Sequence, residues 1–209
     1  MEIDFTKAKW INKPKNTSVD KASVSITTNP HTDFWQRSYY GFRNDNAPAL
    51  LLETKENFTF TFKVSFRYQS LFDQCGPVIY LDSENWFKAS IEYEGDDNSP
   101  LGSVVTNMGY SDWATQMVRT PEEIWYRLSR RGPDFRLEHS LDGSSFSQMR
   151  VFHLHSLGET TGEMGHMDPP KPAEKSIRFG IYACSPIESS VTAVFESFTL
   201  EPSIWKSHG

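Results

Sequence analysis

Apolar and polar residues alternate without a break along Phe58-Thr59-Phe60-Thr61-Phe62-Lys63-Val64-Ser65-Phe66-Arg67-Tyr68. Successive side chains of a β-strand point to opposite faces, so this pattern predicts a strand with one buried and one solvated face. The buried face would carry mostly phenylalanine side chains, and such a face needs a second layer to cover it. The stretch therefore predicts a core that lies between two packed β-sheets.

Further strands are predicted on both sides of this stretch. Shorter apolar runs lie at residues 24–28, 50–54, 77–81, 86–93, 103–107, 124–129, 135–140, 177–183 and 191–200. The connections are too short for helical crossovers, and no window shows a helical period, so we expect antiparallel sheets. Asp142-Gly143, between two of the runs, predicts a hairpin. We expect an all-β fold, an antiparallel two-sheet β-sandwich of jelly-roll type, as one domain over residues 1–209 with a long surface loop at about 156–176.

Composition excludes several classes of protein. The chain has 209 residues and a net charge of −6, with 21 basic and 27 acidic residues, so no nucleic acid is expected as a partner. No run approaches the ~18 apolar residues of a membrane span, and the N-terminus does not look like a secretory signal. We expect a cytoplasmic protein, monomer or homodimer. Cys75 and Cys184 are interpreted as buried thiols, with a disulfide as the alternative.

The strand at 86–93 offers the clearest candidate surface. One face, with Phe87, Ala89, Ile91 and Tyr93, is expected to enter the core. The other face carries Trp86, Lys88, Ser90, Glu92 and Glu94. An indole beside an ammonium group and carboxylates suits a saccharide, because the indole packs on the C–H face of a sugar and charged groups bind its hydroxyls. The alternative is a solvated face with cross-strand ion pairs.

Two aromatic clusters are added to this candidate site. Tyr110, Asp112 and Trp113 lie in a loop or at a strand start, where rings flanking an acid suit stacking and hydrogen bonding. In Phe34-Trp35 we expect Phe34 to point inward and Trp35 outward. The alternative for Trp113 is that it covers the edge of the core.

Enzymatic and metal chemistry has weaker support. Familiar nucleophile, phosphate-binding and dinucleotide motifs are missing from the sequence. Glu92 and Glu94 could form an acid/base pair, roughly 7 Å apart on one strand face. His153 and His155 share a strand face and, with His139 or His166, could bind a metal ion, but chance explains such a pair equally well. We therefore predict no metal and no cofactor.

The chain resembles a domain family of bacteria and fungi that is named in fungi for regulation of enolase. The resemblance is carried by Phe34-Trp35, Asp73-Gln74-Cys75-Gly76, residues 81–93, Val105-Thr106-Asn107, Tyr110-Ser111-Asp112-Trp113, Ser140-Leu141-Asp142-Gly143 and residues 180–186. It implies a concanavalin A-like lectin/glucanase jelly roll whose concave face binds saccharides in lectins and holds the acid pair in glucanases. The chain departs from the Glu-x-Asp-x-x-Glu strand of glucanases, since residues 92–97 read Glu-Tyr-Glu-Gly-Asp-Asp, and it shows no acid cluster like that of legume lectins.

Three hypotheses follow for the function. The first is a non-enzymatic saccharide-binding or sensing protein that uses the open sheet face. The second is a divergent carbohydrate-active enzyme with Glu92 as acid or base. The third is a protein-interaction module with a partner in sugar metabolism, which the family name suggests.

Overall fold

The computed structural model describes residues 3–95 and 97–207. Asp96, in the predicted loop after the strand at 86–93, lies outside the described residues. The strands are β1 (Lys9–Ile11), β2 (Asn16–Val19), β3 (Ser23–Thr27), β4 (Phe34–Gln36), β5 (Arg43–Asp45), β6 (Ala49–Thr54), β7 (Phe58–Ser65), β8 (Gln74–Asp82), β9 (Asn85–Glu92), β10 (Asn98–Asn107), β11 (Tyr110–Arg119), β12 (Glu123–Arg131), β13 (Asp134–Ser140), β14 (Ser147–His153), β15 (Ile177–Cys184) and β16 (Thr192–Pro202). Short 3-10 turns lie at Phe5–Lys7 and His155–Leu157, and α1 spans Gly162–Gly165.

The strands form two large sheets and one small one. Sheet I has the order β1-β6-β15-β8-β9-β10-β11, sheet II has the order β14-β13-β12-β7-β16-β3-β2, and β4 pairs with β5. All these strand pairings are antiparallel. The predicted two-sheet sandwich is confirmed, and so is the hairpin at Asp142-Gly143, which joins β13 to β14.

The main core lies between the two sheets, as the alternation in β7 predicts. Phe58, Phe60 and Phe62 are fully buried, and Phe58 stacks on Phe179 of sheet I with ring centroids 4.3 Å apart. Each such side chain contributes about 1.5–3 kcal/mol of burial free energy. The odd-numbered residues of β9, such as Phe87, join the same cluster. The inner face of β9 is therefore the one that the sequence predicts.

A second apolar cluster lies on the outer face of sheet I. The β4–β5 hairpin and the segment after it cover this face near β8, β9 and β15. The cluster contains Phe34, Trp35, Ala47, Ala49, Leu51, Val78, Tyr80, Trp86, Val104, Tyr182 and Cys184. The outer face of β9 is therefore covered over part of its length, where the sequence predicts an open face.

Two regions differ from a simple reading of the sequence. Tyr110–Arg119 forms a ten-residue strand, β11, that is exposed along most of its length, so no burial pattern marks it. The predicted loop at 156–176 contains α1 and is fastened to the sandwich by Arg131, whose guanidinium binds Asp168 at 2.8 Å. No helix of the described residues is long and apolar enough to cross a membrane. Cys75 and Cys184 are buried free thiols, as predicted.

Candidate functional site

Trp86 does not form the open platform that the sequence predicts. Its side chain points to the outer face of sheet I, as the alternation requires, but it is fully buried. Phe34 of the β4–β5 hairpin packs over it, with ring centroids 5.6 Å apart. Its indole Nε1 is buried, and no hydrogen-bond partner for it lies within residues 3–95 and 97–207. The expectation that Trp86 contacts a ligand is corrected: it belongs to the second apolar cluster.

Lys88 lies two residues after Trp86 on β9. Like Trp86 it is not at the surface, because it is buried in an ion pair. Its Nζ lies 2.7 Å from Asp33 Oδ1 and donates to Gln74 Oε1 at 2.8 Å. Burial works to lower the pKa of Lys88, but the Asp33 carboxylate and the other acidic neighbours together outweigh it, so the net shift is upward. Lys88 therefore stays charged at neutral pH and is bound by the protein itself.

Glu92, at the end of β9, is the partly open member of this group. Its Oε2 accepts a hydrogen bond from Gln74 Nε2 at 3.3 Å, and the Tyr182 hydroxyl donates to Gln74 Oε1 at 3.0 Å. Burial raises the pKa of Glu92 to about 7, although the Lys88 ammonium opposes the shift. Glu92 can thus hold or release a proton near neutral pH. We call Asp33, Gln74, Lys88, Glu92 and Tyr182 the Lys88 cluster.

A buried thiol borders the Lys88 cluster. Cys184 Sγ lies 3.9 Å from Asp33 Oδ1. Burial and the nearby Asp33 carboxylate raise the pKa of the Cys184 thiol well above its usual value. The thiol therefore stays protonated and serves as a small apolar side chain here.

Trp113 supplies the exposed indole of the outer face. Its side chain is 40% exposed, and in the sheet register it lies across from Val104, which in turn lies across from Lys88. A Cβ atom on Gly102 would lie 2.9 Å from Trp113 Nε1. The indole therefore rests over Gly102, where no larger residue fits without displacing it.

The β4–β5 hairpin adds further rings beside Trp113. Trp35 is 8% exposed and therefore buried, which corrects the expectation that it points outward, whereas Phe34 is inward as predicted. Trp35 contacts Trp113 and Tyr40 edge-on, with centroid distances of 6.5 and 5.3 Å. The turn of the hairpin then presents Tyr39, Tyr40 and Phe42, which are all exposed. Trp35, Tyr39, Tyr40, Phe42 and Trp113 are called the aromatic patch.

Two predicted site residues lie away from this surface. Tyr110 and Asp112 alternate with Trp113 along β11, so their side chains point to its other face. Asp112 forms an ion pair with Arg150 of β14 at 2.6 Å. The guanidinium of Arg37 lies 5.7 Å from the Tyr110 ring centroid. The sequence placed these residues beside Trp113 in the chain, but the strand separates them from it.

Acidic and histidine residues beyond the Lys88 cluster show no metal geometry. Glu94 is exposed and lies past the end of β9. His153 Nδ1 lies 2.8 Å from Asp134 Oδ1, and its ring centroid lies 5.2 Å from that of His155. The expectation that both histidines share a strand face is corrected: β14 ends at His153, and His155 lies in the 3-10 turn that follows. Across the part of the chain that the structure describes, no group of three or more His, Cys, Asp or Glu side chains is placed to hold a metal ion.

Sequence reasoning did not assign Asp33, Gln74 or Tyr182 to a site with Lys88. Asp33 is 55 residues away from Lys88 along the chain, and a single sequence carries no sign of that contact. Gln74 gave one usable signal, because an amide in a buried strand needs a partner. The contact between Gly102 and the Trp113 indole likewise has no signal in the sequence.

Fold and site together define a concanavalin A-like β-sandwich with a buried ion pair and an exposed aromatic patch on one sheet face. The chain belongs to the family described as "Protein of unknown function (DUF1349)", whose model matches residues 10–203. It is 29% identical to "Regulation of enolase protein 1" of Saccharomyces cerevisiae over 98% of this chain and 94% of that protein. The resemblance drawn from the sequence motifs is thereby confirmed.

Solved structures support the same fold. A functionally unknown protein from Saccharomyces cerevisiae superposes with a TM-score of 0.81 at 28% identity, covering 97% of this chain and all of that one. A xylan beta-1,4-xylosidase from Bacillus halodurans gives a TM-score of 0.65 at 13% identity, covering 96% of this chain and 39% of that one. The GH43 protein BlXynB from Bacillus licheniformis gives 0.63 at 14% identity, covering 86% and 32%. The chain spans about a third of these two proteins, and at such identities the likeness concerns the fold alone.

Proposed function

We propose that the protein binds a saccharide, without turning it over, on the outer face of sheet I between Trp113 and Glu92. The observation that carries the proposal is the exposed indole of Trp113, which rests over Gly102 on the same sheet face as the polar Lys88 cluster. An aromatic plane on the same face as a partly exposed carboxylate is a combination that suits sugar rings and their hydroxyls.

The dimensions of this surface suit a short oligosaccharide. Trp113 lies two strands from β9, and Glu92 lies four residues beyond Lys88 along β9. At ~4.8 Å between strands and ~3.3 Å per residue, the two Cα positions are roughly 16 Å apart. Ser90 of β9, between Lys88 and Glu92, is only 5% exposed, so a ligand on this surface would contact Trp113 and Glu92 rather than Ser90.

Glu92 supplies the polar end of the proposed surface. Gln74 is only 2% exposed, and its amide is used by Lys88, Tyr182 and Glu92, so it does not contact the ligand but holds Glu92 in place before the ligand arrives. Glu92 has a pKa of about 7, and it can therefore accept or donate a hydrogen bond at neutral pH. Such preorganised groups lower the entropic cost of binding.

A divergent carbohydrate-active enzyme is the second candidate, and the raised pKa of Glu92 favours it. A carboxyl group with a pKa of about 7 is partly protonated at neutral pH and could act as a general acid. The partner carboxylate of such a mechanism would be Asp33, but Asp33 is bound to Lys88. Binding without turnover is for this reason the first proposal.

The test is a calorimetric titration of the protein with each member of a panel of soluble neutral oligosaccharides. Trp113→Ala is expected to weaken any binding at least tenfold, because it removes the stacking plane. Tyr110→Ala is the matched control, since Tyr110 is an exposed aromatic on the other face of the same strand, and it should bind like the wild type. Loss of binding in both variants alike, or no binding across the panel, would contradict the proposal.

Turnover separates the two candidates. Chromatography of the same oligosaccharides after long incubation should show them intact. Products that disappear with Glu92→Gln would favour the enzyme instead. A protein partner in sugar metabolism, suggested by the name of the yeast relative, and a cytoplasmic location stay predictions.

A further inference from the structure

Strand β11 is a long, exposed edge of sheet I. It pairs with β10 on one side, and within the described residues no strand pairs with its other side. Trp113 is 40% exposed and Met117 is 60% exposed. The strand also projects beyond sheet II, since Ala114 and Gln116 are exposed on its inner face. From Trp113 to Met117, both faces and the outer edge of β11 are thus open to a partner.

The hydrogen-bond pattern shows which backbone groups face outward. The turn between β10 and β11 consists of Met108 and Gly109, which both have positive φ. In a two-residue hairpin of this kind, the residues that flank the turn, here Asn107 and Tyr110, form both N–H···O=C hydrogen bonds with each other. At the other end, Thr120 N donates to Asp97 O at 2.8 Å. Both ends of the hairpin therefore show that the even-numbered residues of β11 hydrogen-bond to β10 and that the odd-numbered residues point their backbone groups away from it. The N–H and C=O groups that point away from β10 therefore belong to the residues Ser111, Trp113, Thr115, Met117 and Arg119.

The edge lacks the features that usually prevent strand pairing. Tyr110–Arg119 contains no proline and no lysine, although both are common on edge strands that stay free. Its one carboxylate, Asp112, is occupied by Arg150 of β14, and its other charge, Arg119, is at the end. The middle of the strand is uncharged.

We propose that β11 pairs with β11 of a second copy of this chain, antiparallel about a two-fold axis at Thr115. Trp113 and Met117 lie two residues on either side of Thr115 and point to the same face. In this register Trp113 of each copy lies opposite Met117 of the other, which brings an indole and a thioether together. The sheets of the two copies become one continuous sheet.

The side chains on the other face of β11 also agree with this register. Asp112 lies opposite Val118 of the second copy, and Ala114 lies opposite Gln116. On the Trp113 face, Arg119 lies opposite Ser111. No like charges meet, and such self-complementarity favours a second copy over an unrelated extended peptide. Trp113 belongs both to this contact and to the proposed saccharide surface, but the pairing is tested by the oligomeric state of Thr115 variants and the saccharide by binding to Trp113 variants, so failure of one proposal can be told from failure of the other.

Charge substitutions at the two-fold position test the pairing. Thr115 would lie opposite itself, so Thr115→Lys places two like charges together, as does Thr115→Glu. Sedimentation velocity should show a dimer for the wild type and a monomer for each variant. An equimolar mixture of the two variants should dimerise again, because lysine then faces glutamate. Gln116→Lys is the matched control: it adds the same charge one residue away, opposite Ala114, and should remain a dimer.

Thermal unfolding of each variant confirms that it is folded, as expected for substitutions at exposed positions. A monomeric wild type at every concentration at which it is soluble would overturn the proposal. A Thr115→Lys dimer would overturn it too, because the pairing would then lie elsewhere. Failure of the mixed variants to associate would overturn the register about Thr115.

Discussion

Removal of the buried ammonium group should destabilise the protein far more than removal of a similar group at the surface. The change is Lys88→Met, which keeps most of the side-chain volume and removes the charge. Asp33 then keeps a carboxylate that is 15% exposed and has lost its 2.7 Å partner. Gln74 Oε1 loses a donor as well.

The magnitude follows from the burial of the pair. Lys88 is only 4% exposed, and removing one member of a buried ion pair costs about 3–5 kcal/mol. For a chain of this size that corresponds to a fall of about 6–20 °C in Tm. Lys63→Met is the matched control, because Lys63 bridges Glu123 and Glu196, which are 51% and 40% exposed. Its loss should cost less than about 1 kcal/mol.

Urea unfolding followed by circular dichroism measures both values. Adding Asp33→Asn to Lys88→Met should recover much of the loss, because the buried charge then disappears while the amide can still accept the bond from Phe34 N. If Lys88→Met costs no more than Lys63→Met, the pair is not the buried contact described here and the reasoning is refuted.

Three other perturbations have defined outcomes. Glu92 has a pKa of about 7 in the folded protein instead of 4.5, so the folded protein binds this proton more tightly than the unfolded chain does. The free energy of unfolding should therefore fall by up to about 3 kcal/mol as the pH rises from 4.5 to 7. Urea titrations at several pH values should show this fall in the wild type and not in Glu92→Gln. Trp86→Ala should cost about 3–5 kcal/mol by the same assay, because the side chain is fully buried; a loss below 1 kcal/mol would contradict its place in the second cluster. Cys75 and Cys184 are buried, so a thiol reagent should label them only at the rate of unfolding, and rapid labelling of the folded protein would contradict their burial.

The fold could be predicted from the sequence because alternation is a local property. The core-facing sides of β7 and β9 follow from a two-residue period alone, and packing in the core agrees with them. The other side of β7 is not solvated throughout, as the alternation predicts, because Thr59 is fully buried there and hydrogen-bonds to Ser129 Oγ. Strand β11 shows the limit of this reasoning. It is exposed on both faces, so its residues need no alternation, and only its pairing with β10 defines it.

The candidate site could be predicted only in part. Alternation assigns each side chain of a strand to one of two faces, but it does not show which other segment of the chain covers a face. Trp86 and Lys88 do share the outer face of β9 with Glu92, as predicted. The cover over Trp86 comes from Phe34, which is far away in the chain. Contacts of that kind depend on tertiary structure, and neither composition nor spacing records them.

Polar contacts explain why the hairpin lies where it does. Asp33, just before β4, binds Lys88 on β9, and Arg37, just after β4, forms an ion pair with Glu84 at 2.8 Å. The main-chain N–H of Gln36 also donates to Ser111 Oγ at 2.9 Å. These contacts fix both ends of β4 to sheet I, which in turn holds Trp35 against Trp113. The buried ion pair therefore positions the aromatic patch, and a variant that breaks it should disturb the proposed saccharide surface without touching any of its rings.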